Sequence, residues 1–313
     1  MSGGAARMDL TTRLGPLSLR SPLVAASGTV GSVADFAGVA RLDPYGAAVG
    51  KSVSEEPWPG RPPPRLYPTG TGLLNGIGIQ NPGVAAWAEE VGPRLAGLGV
   101  PVWGSVVGKT AEEFGRVAAV MHATGVAAIE VNLSCPNLED GLMFALDPAA
   151  AGRVVTEVRA ATTLPVGAKL SPNCADIVAV AAAAAGAGAD FVVLGNTVWG
   201  AAIDPETRRP GLSGVIGGYS GPPVKPIALR CVIEVRRALP GLPIVGCGGV
   251  RGGADVVEFL LAGAQAVALG TVHFAETRAA GRVIRELHRY GRRHRVDRVA
   301  DLIGAWIPWT TDG

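Results

Sequence analysis

Short, continuous apolar runs alternate along this chain with longer, alanine-rich stretches. Continuous apolar runs are typical of parallel strands that are buried on both faces, because neither face of such a strand meets water. The pattern predicts eight strands, at 23–28, 47–52, 101–108, 127–135, 165–170, 190–197, 243–250 and 266–271. It predicts helices at 32–42, 82–98, 110–124, 147–162, 173–188, 224–239, 252–263 and 274–291.

Eight strands separated by helical crossovers favour an α/β fold, a single (β/α)8 TIM barrel that takes the whole chain, 1–313, as one domain. A doubly wound open sheet is the alternative architecture. Two connections, 53–81 and 198–223, are longer than ordinary βα loops. Long connections in a compact domain usually carry function, so we expect both to be active-site loops.

The composition fits a large buried core, since 48% of the residues are hydrophobic and 17% are charged. A net charge of +2 gives no general attraction to nucleic acid. The sequence contains no apolar run approaching the ~20 residues of a membrane-spanning helix. The N-terminal residues also lack the apolar core of a secretion signal. We therefore expect an unprocessed cytoplasmic protein with no nucleic-acid partner and no membrane span.

The cysteine and histidine pattern gives metal chemistry little support. Structural zinc sites and iron–sulfur clusters usually contain clustered cysteines. No C-x-x-C pair is formed by Cys135, Cys174, Cys231 and Cys247, and no H-E-x-x-H motif by the four histidines. We expect no metal in this chain.

Polar residues stand where the predicted strands end, which is the location of the active site in barrels of this kind. Lys51 and Lys169 each lie at a strand end, although burying an unpaired ammonium is costly. Two lysines at equivalent strand ends favour a binding site over a structural role. The other small or polar residues at strand ends are Ser27, Gly28, Ser52, Ser105, Asn132, Cys135, Asn196 and Thr197.

The last two predicted strands end in the glycine-containing segments CGGV (247–250) and ALGT (268–271). Glycine lets backbone N–H groups approach an anion closely, and each segment precedes a predicted helix whose N-terminus is electropositive. The loops after the seventh and eighth strands are the usual phosphate site in such barrels. These segments therefore predict a phosphate-bearing ligand.

The segment NLSCPN (132–137) places Cys135 among small polar residues at the end of the fourth strand. A cysteine in such a loop can act as a base or a nucleophile, whereas a lone cysteine is usually a small buried hydrophobe. Asn132 and Asn137 offer donors and acceptors to a planar polar ligand. No histidine adjoins Cys135 in sequence, so a cysteine–histidine hydrolase is not indicated.

Several longer segments resemble the class 1 dihydroorotate dehydrogenases, most closely the catalytic subunit of the NAD-linked 1B type. The class 2 enzymes, which are membrane-bound, carry Ser where this chain has Cys135. The matching segments are ASG (26–28), GKS (50–52), LLNGIGIQNPG (73–83), EVNLSCPN (130–137), AKLSPN (168–173), GNT (195–197), GGYSGPPVKPIALR (217–230), GCGGV (246–250) and LGT (269–271).

The resemblance implies FMN at the C-terminal mouth of the barrel and oxidation of (S)-dihydroorotate to orotate in pyrimidine (UMP) biosynthesis. Cys135 corresponds to the base that removes the C5 proton, while the C6 hydride passes to N5 of FMN. The matching substrate contacts are Lys51, Asn75, Gly76, Ile77, Gly78, Ile79, Asn132, Asn196 and Thr197. The matching FMN contacts are Ser27, Lys51, Ser52, Asn132, Lys169, Gly221, Gly248, Gly249, Gly270 and Thr271, the last four at the phosphate.

The resemblance also implies partners. The chain contains no second glycine-rich dinucleotide motif and no cysteine cluster, so it cannot itself pass electrons from FMN to NAD. A separate subunit that carries FAD and a [2Fe–2S] cluster is therefore expected, together with a homodimer of this chain. Fumarate is the alternative electron acceptor within class 1.

Two positions depart from the family pattern: Ser105 stands where the family usually has Asn, and Gly195 where it has an apolar residue. Both changes remove side-chain atoms beside the flavin and leave open an oxidoreductase of the same family that acts on another cyclic amide or pyrimidine. An alternative of another class is a non-redox, phosphate-binding lyase or isomerase with a Schiff base on Lys51 or Lys169.

Overall fold

The computed structural model describes residues 7–134 and 143–307. In chain order its strands are β1 (Thr12–Leu14), β2 (Leu17–Leu19), β3 (Leu23–Ala25), β4 (Ala47–Val49), β5 (Leu66–Pro68), β6 (Leu73–Asn75), β7 (Val102–Val106), β8 (Ala128–Asn132), β9 (Val166–Leu170), β10 (Phe191–Leu194), β11 (Val198–Ala201), β12 (Ile203–Asp204), β13 (Arg209–Pro210), β14 (Ile216–Ser220), β15 (Ile244–Cys247) and β16 (Ala266–Leu269). Its α-helices are α1 (Val84–Glu90), α2 (Ala111–His122), α3 (Pro148–Ala161), α4 (Ile177–Gly186), α5 (Lys225–Ala238), α6 (Gly253–Ala262), α7 (Val272–Ala275) and α8 (Ala279–His294). Short 3₁₀ turns cover Phe36–Gly38, Gly92–Gly97, Phe144–Leu146, Pro222–Val224 and Val299–Leu302.

Eight parallel strands close into one barrel, in the order β3, β4, β7, β8, β9, β10, β15 and β16, and β16 pairs again with β3. Each predicted strand contains one strand of this barrel. Closure leaves the sheet without edges, so the predicted (β/α)8 barrel is confirmed and the open doubly wound sheet is excluded.

The barrel interior is filled at its amino-terminal end by apolar side chains. Alternate residues of each strand point inward, and the others point toward the helices. Trp103 and Phe191 dominate the interior cluster, with ring centroids 5.0 Å apart. Leu14 and Leu19 of the β1–β2 hairpin join this cluster and close the end of the barrel. Nearer the carboxyl ends of the strands, the interior also contains the buried polar side chains of Ser105, Glu130 and Lys169.

The helix predicted at 32–42 is wrong, because this segment forms only the 3₁₀ turn Phe36–Gly38. Gly31 and Val33 have φ angles of 54° and 71°, and this left-handed conformation does not continue into a right-handed helix.

Three further helices differ clearly from their predicted bounds, and one of them, α4, begins at Ile177 instead of at position 173. The segment predicted at 82–98 divides into α1 and a 3₁₀ turn, at a point where Pro93 has no N–H to continue the helical hydrogen bonds. The last predicted helix, 274–291, begins only at Ala279, after the short helix α7.

The two long connections pair with each other. β5 and β6 come from the first connection, β11 and β14 from the second, and they form an antiparallel sheet in the order β11, β14, β6 and β5. In this ladder Asn75 lies opposite Gly218. Both connections leave the carboxyl ends of barrel strands, so the sheet lies on the side of the barrel where the predicted site residues are.

Within the described residues, the helices are all too short or too polar to cross a lipid bilayer.

The apolar cluster inside the barrel, called the interior plug, is packed so closely that no space is left beside the Phe191 ring. A Cβ added to Gly167 would overlap the Phe191 ring, whereas a Cβ added to Gly186 in α4 would meet no atom within 4 Å. We expect Gly167→Ala to lower the free energy of unfolding by about 1–3 kcal/mol, the usual cost of overpacking. Gly186→Ala should be neutral or stabilising, because alanine favours the helix. Urea unfolding followed by circular dichroism compares the two, and equal midpoints would contradict this view of the plug.

Candidate active site

One inward-facing layer of the barrel is polar. Ser105 lies beside Glu130, Glu130 beside Gly167, and Asn132 beside Lys169 in the parallel register of β7, β8 and β9. Because strand residues alternate in direction, Ser105, Glu130 and Lys169 all point into the barrel above Trp103 and Phe191. The predicted site residues Ser105, Asn132 and Lys169, on three neighbouring strands, therefore lie close together.

A buried ion pair lies in this layer. The Lys169 Nζ and Glu130 Oε1 atoms are 3.8 Å apart, and the two side chains are 7% and 3% exposed. Burial is the largest effect on Lys169 and opposes its charged form, but the Glu130 carboxylate and, to a smaller extent, Cys247 together outweigh burial, so the pKa of the ammonium lies above its usual value. Burial raises the pKa of Glu130, while Lys169 and a hydrogen bond with Ser105 act in the opposite direction.

Lys51 follows β4 and is partly buried close to this pair. Burial, and to a smaller extent the positive charge of Lys169, lowers the pKa of Lys51 to about 8. At pH 7 the side chain is still mostly an ammonium, so the mouth of the barrel holds two cationic groups near one carboxylate.

A row of side chains connects the ends of β3, β4, β7 and β8. The Ser27 hydroxyl donates to the Gly50 carbonyl at 2.8 Å. The Ser52 and Ser105 hydroxyl oxygens are 2.8 Å apart, and Asn132 Nδ2 donates to the Ser52 oxygen at 3.1 Å. Ser27, Ser52 and Asn132, three predicted FMN contacts, are thus brought together.

The antiparallel sheet reaches the barrel mouth at Asn75. Its Nδ2 atom donates to the Gly218 carbonyl at 3.1 Å. A Cβ at Gly218 would overlap the Thr197 hydroxyl, which shows that β14 packs directly on the end of β10. Asn196 Nδ2 donates to the Ser134 hydroxyl at 2.9 Å. Asn75, Asn196 and Thr197 therefore line one side of the mouth.

The segment from Gly76 to Ile79 makes its backbone hydrogen bonds within its own connection. The Gly76 N–H donates to the Arg65 carbonyl at 2.8 Å, and the Arg61 N–H donates to the Ile77 carbonyl at 3.1 Å. A Cβ at Gly78, where φ is 69°, would lie 2.7 Å from the Arg61 nitrogen. Backbone hydrogen bonds with Arg61 and Arg65 hold this predicted substrate segment, and Ile79 packs against the main hydrophobic core.

Backbone donors are free at the ends of β15 and β16. The N–H groups of Gly248, Gly249, Gly270 and Thr271 donate to no other residue within 7–134 and 143–307. Gly248 and Gly249 have φ angles of 142° and 72°, and a Cβ at Gly249 would lie 2.6 Å from the Lys225 nitrogen. Unpaired N–H groups on glycine-rich backbone suit an anion. This geometry can hold a phosphate.

Gly221 borders the same region. It has a φ of 104°, and an added Cβ would lie 3.0 Å from the Gly72 Cα atom of the other long connection. The close approach of two backbones therefore requires glycine at this point, just before the turn that leads into α5.

A family model described as dihydroorotate dehydrogenase matches residues 9–290. The chain belongs to the dihydroorotate dehydrogenase family. It is 46% identical over 301 residues to the dihydroorotate dehydrogenase B (NAD(+)), catalytic subunit, of Citrifermentans bemidjiense, covering 96% of this chain and 98% of the relative. A protein of the same name from Geobacter sulfurreducens is 45% identical over 299 residues, covering 95% and 98%. The resemblance to the 1B catalytic subunit is confirmed.

Cys135, the residue that the dihydroorotate dehydrogenase resemblance assigns as the base, lies outside the described residues, as does Asn137. Its chain neighbour Ser134 is described, and the Ser134 N–H donates to Asn132 Oδ1 at 3.3 Å. Ser134 also accepts a hydrogen bond from Asn196, so Ser134 lies at the mouth of the barrel.

Two polar residues of this dehydrogenase fold were missed by the sequence analysis. Glu130 was missed although it lies two residues before Asn132, and strand alternation alone places both side chains inward. Asn173 links two connections, because its Nδ2 donates to the Thr197 carbonyl at 3.0 Å and its Oδ1 accepts from the Trp199 N–H at 3.0 Å. It lies within the matching segment AKLSPN, but no strand-end rule selects it.

A surface groove of about 930 Å³ lies away from these dehydrogenase site residues, between the β3–β4 crossover and α8. It exists where the first crossover forms only a 3₁₀ turn instead of a helix. Its lining includes Arg20, Val39, Arg41, Glu276 and Arg285, none of which the sequence analysis selected. Among the residues that the structure describes, no group of three His, Cys, Asp or Glu side chains could hold a metal ion.

The pKa of Lys51 gives a direct test of this geometry. Lys169→Met removes the positive charge beside Lys51, so the pKa of Lys51 should rise from about 8 while burial keeps it below the ordinary lysine value. The chain has four lysines, at 51, 109, 169 and 225, so NMR titration of ¹³C-labelled lysine resolves each signal. Lys109 and Lys225 serve as internal controls. An unchanged or lower pKa of Lys51 would show that the two ammonium groups do not face each other.

Proposed function

We propose that the chain is the catalytic subunit of a type B dihydroorotate dehydrogenase, which oxidises (S)-dihydroorotate to orotate in pyrimidine biosynthesis. The observation that carries this proposal is the joint position of Lys51, Lys169 and Asn132 at the mouth of a barrel of this family. The whole chain, 1–313, acts in this proposal as one domain, with 53–81 and 198–223 as its active-site connections.

FMN fits the residues that the structure brings together. The free N–H groups of Gly248, Gly249, Gly270 and Thr271 suit its phosphate. The side chains of Ser27, Lys51, Ser52, Asn132 and Lys169, with the backbone at Gly221, would hold the rest of the cofactor. When bound, FMN supplies a two-electron acceptor at N5 for the hydride from C6 of the substrate. An ammonium at Lys169 would stabilise negative charge on the ring edge that it faces.

The substrate side of the proposal rests on the asparagines. Orotate is a planar ring with amide-like groups and one carboxylate, so asparagine amides and a lysine ammonium complement it. Asn75, Asn132, Asn196 and Thr197 would bind the ring and Lys51 the carboxylate, with Gly76, Ile77, Gly78 and Ile79 covering the substrate. Cys135 would take the proton from C5.

The relatives are named as catalytic subunits, which supports a separate electron-transfer partner. In this proposal the partner carries FAD and a [2Fe–2S] cluster and passes electrons to NAD, and the chain forms a homodimer in the cytoplasm. The sequence contains no cysteine cluster that could replace this partner.

A second candidate, favoured by Ser105 and Gly195, is the oxidation of another cyclic amide by the same flavin site. Ser105 ends the row of hydroxyl groups beneath the mouth, where a longer amide side chain would reach further toward the ligand. Dihydrouracil, which lacks the carboxylate, is the appropriate competitor substrate.

Anaerobic mixing with dihydroorotate tests the proposal. The purified protein should be yellow, and dihydroorotate should bleach the flavin absorbance while dihydrouracil should not. Bleaching by dihydrouracil alone would favour the second candidate. A colourless protein that FMN cannot reconstitute would reject both and support the non-redox lyase or isomerase. Fumarate and the partner subunit with NAD would then be compared as acceptors.

The phosphate position is tested by Gly249→Val. The side chain would clash with Lys225 and block backbone donors, so we expect a folded protein that loses most of its FMN. Gly125→Val is a matched control, because Gly125 has a similar φ of 86° but open space around its Cα. Extracted flavin per chain and circular dichroism are measured for both variants. Full FMN content in Gly249→Val would place the phosphate elsewhere.

The role of Cys135 is tested by removing its thiol. Cys135→Ala should keep the FMN spectrum but slow flavin reduction by dihydroorotate by about 10²–10⁴-fold, the usual contribution of a positioned base. Cys135→Ser should lose or shift upward the rise of rate with pH, because a hydroxyl is much harder to deprotonate than a thiol. Cys231→Ala, which alters a buried thiol on α5, is the control. A wild-type reduction rate in Cys135→Ala would end the assignment.

A further inference from the structure

Glu130 is a carboxylate inside the barrel that the proposed reaction does not use. Its side chain is on β8, the residue is 2% exposed, and its Oε1 atom has no hydrogen-bond donor among the described residues. A buried carboxylate without a full set of donors is unfavourable for folding unless a charge compensates it. The compensating charge here is the Lys169 ammonium at 3.8 Å.

The other titratable groups around Lys169 cannot provide this charge. Cys247 on β15 faces the same layer and raises the pKa of Lys169 to a smaller extent than Glu130 does, but burial raises the pKa of the Cys247 thiol itself, so it is uncharged at neutral pH. Lys51, after β4, carries the same charge as Lys169 and opposes its protonation. The neighbouring strand β10 contributes Val193, which is apolar. Glu130 is therefore the one anionic partner of Lys169 within 7–134 and 143–307.

The register of β8 and β9 fixes the relative positions of Glu130 and Lys169. Glu130 lies opposite Gly167 in the β8–β9 ladder, and Lys169 lies opposite Asn132. Both side chains leave adjacent strands on the inward side, and Gly167, the residue opposite Glu130, has no side chain that would block the diagonal contact with Lys169. The lysine stem cannot turn toward the helices without leaving the barrel interior, so the ammonium stays at the level of Asn132.

We propose that Glu130 is a positioning residue, whose buried carboxylate is the counter-ion that keeps the Lys169 ammonium in place at the floor of the active site. The proposal rests on the proposed function only where it concerns the flavin: a Lys169 held by Glu130 meets the cofactor as a permanent cation. Glu130 itself touches neither cofactor nor substrate, and it acts through Lys169.

The first test uses the chain without ligand and is independent of FMN. In the wild type, the ¹³C-lysine signal of Lys169 should show a protonated side chain throughout the range from pH 6 to about 10, because the carboxylate favours the ammonium. Glu130→Gln keeps the shape of the side chain and removes its charge. Burial and the charge of Lys51 are then opposed only by the smaller effect of Cys247, so the pKa of Lys169 should fall by about 1–3 units.

The second test uses the FMN-loaded protein and measures the flavin midpoint potential against pH. In Glu130→Gln, Lys169 is neutral at high pH and takes up a proton when the flavin gains negative charge, so the potential should fall more steeply with pH than in the wild type. Glu130→Gln/Lys169→Met should lose this extra slope, because it has no ammonium to titrate. A purely structural role for Glu130 would leave the slope of its isosteric variant unchanged.

The same variants also decide the question if Glu130→Gln fails to fold. If Glu130→Gln does not fold but the double variant does, the unpaired ammonium is the cause and the proposal stands. If neither folds, or if Lys169 titrates in Glu130→Gln as in the wild type, Glu130 is not its counter-ion and the proposal fails. A wild-type protein that binds no FMN would reject the proposed function and leave the titration result valid.

Discussion

Closure of the barrel is the constraint on which the rest of the structure depends. Once eight parallel strands form a closed sheet, every second residue must point into a space that water does not fill. Large apolar side chains, with Trp103 and Phe191 in contact, occupy the amino-terminal part of this space. The upper layer, nearer the carboxyl ends of the strands, holds Ser105, Glu130 and Lys169 instead. A protein retains charged side chains in such a place only when each charge is paired or binds a ligand.

The same constraint explains how much the sequence could predict. Barrel strands are buried on both faces, so each one is a continuous apolar run, and all eight could be found without knowledge of their neighbours. The helix predicted at 32–42 failed because its composition suits a helix, whereas the positive φ of Val33 cannot be read from composition. The pairing of 53–81 with 198–223 could not be predicted either, since more than a hundred residues separate the two connections and neither has a strong alternating pattern.

Some residues of the candidate active site could likewise be predicted from the sequence, and others could not. Lys51, Asn132, Asn196 and Lys169 could be selected because a polar residue at the end of an apolar run is unexpected. Glu130 was missed because it lies within a run that otherwise reads as a buried strand, where its charge has an explanation only once Lys169 is known to lie on the adjacent strand. Pairing across strands is a property of register, and register is not encoded in any one segment.

The charges of the upper layer also bear on the choice of substrate. Lys51 and Lys169 contribute two positive charges and Glu130 one negative charge, so the described part of the mouth is left with an excess positive charge near Lys51. Because Lys169 is already paired, Lys51 is the cation available to a ligand, and its pKa is lowered by burial and, to a smaller extent, by the charge of Lys169. An anionic ligand would relieve both its burial and its repulsion from Lys169, whereas a neutral cyclic amide would relieve neither. The electrostatics of the site therefore favour a carboxylate-bearing ring such as dihydroorotate over uncharged relatives of the same shape.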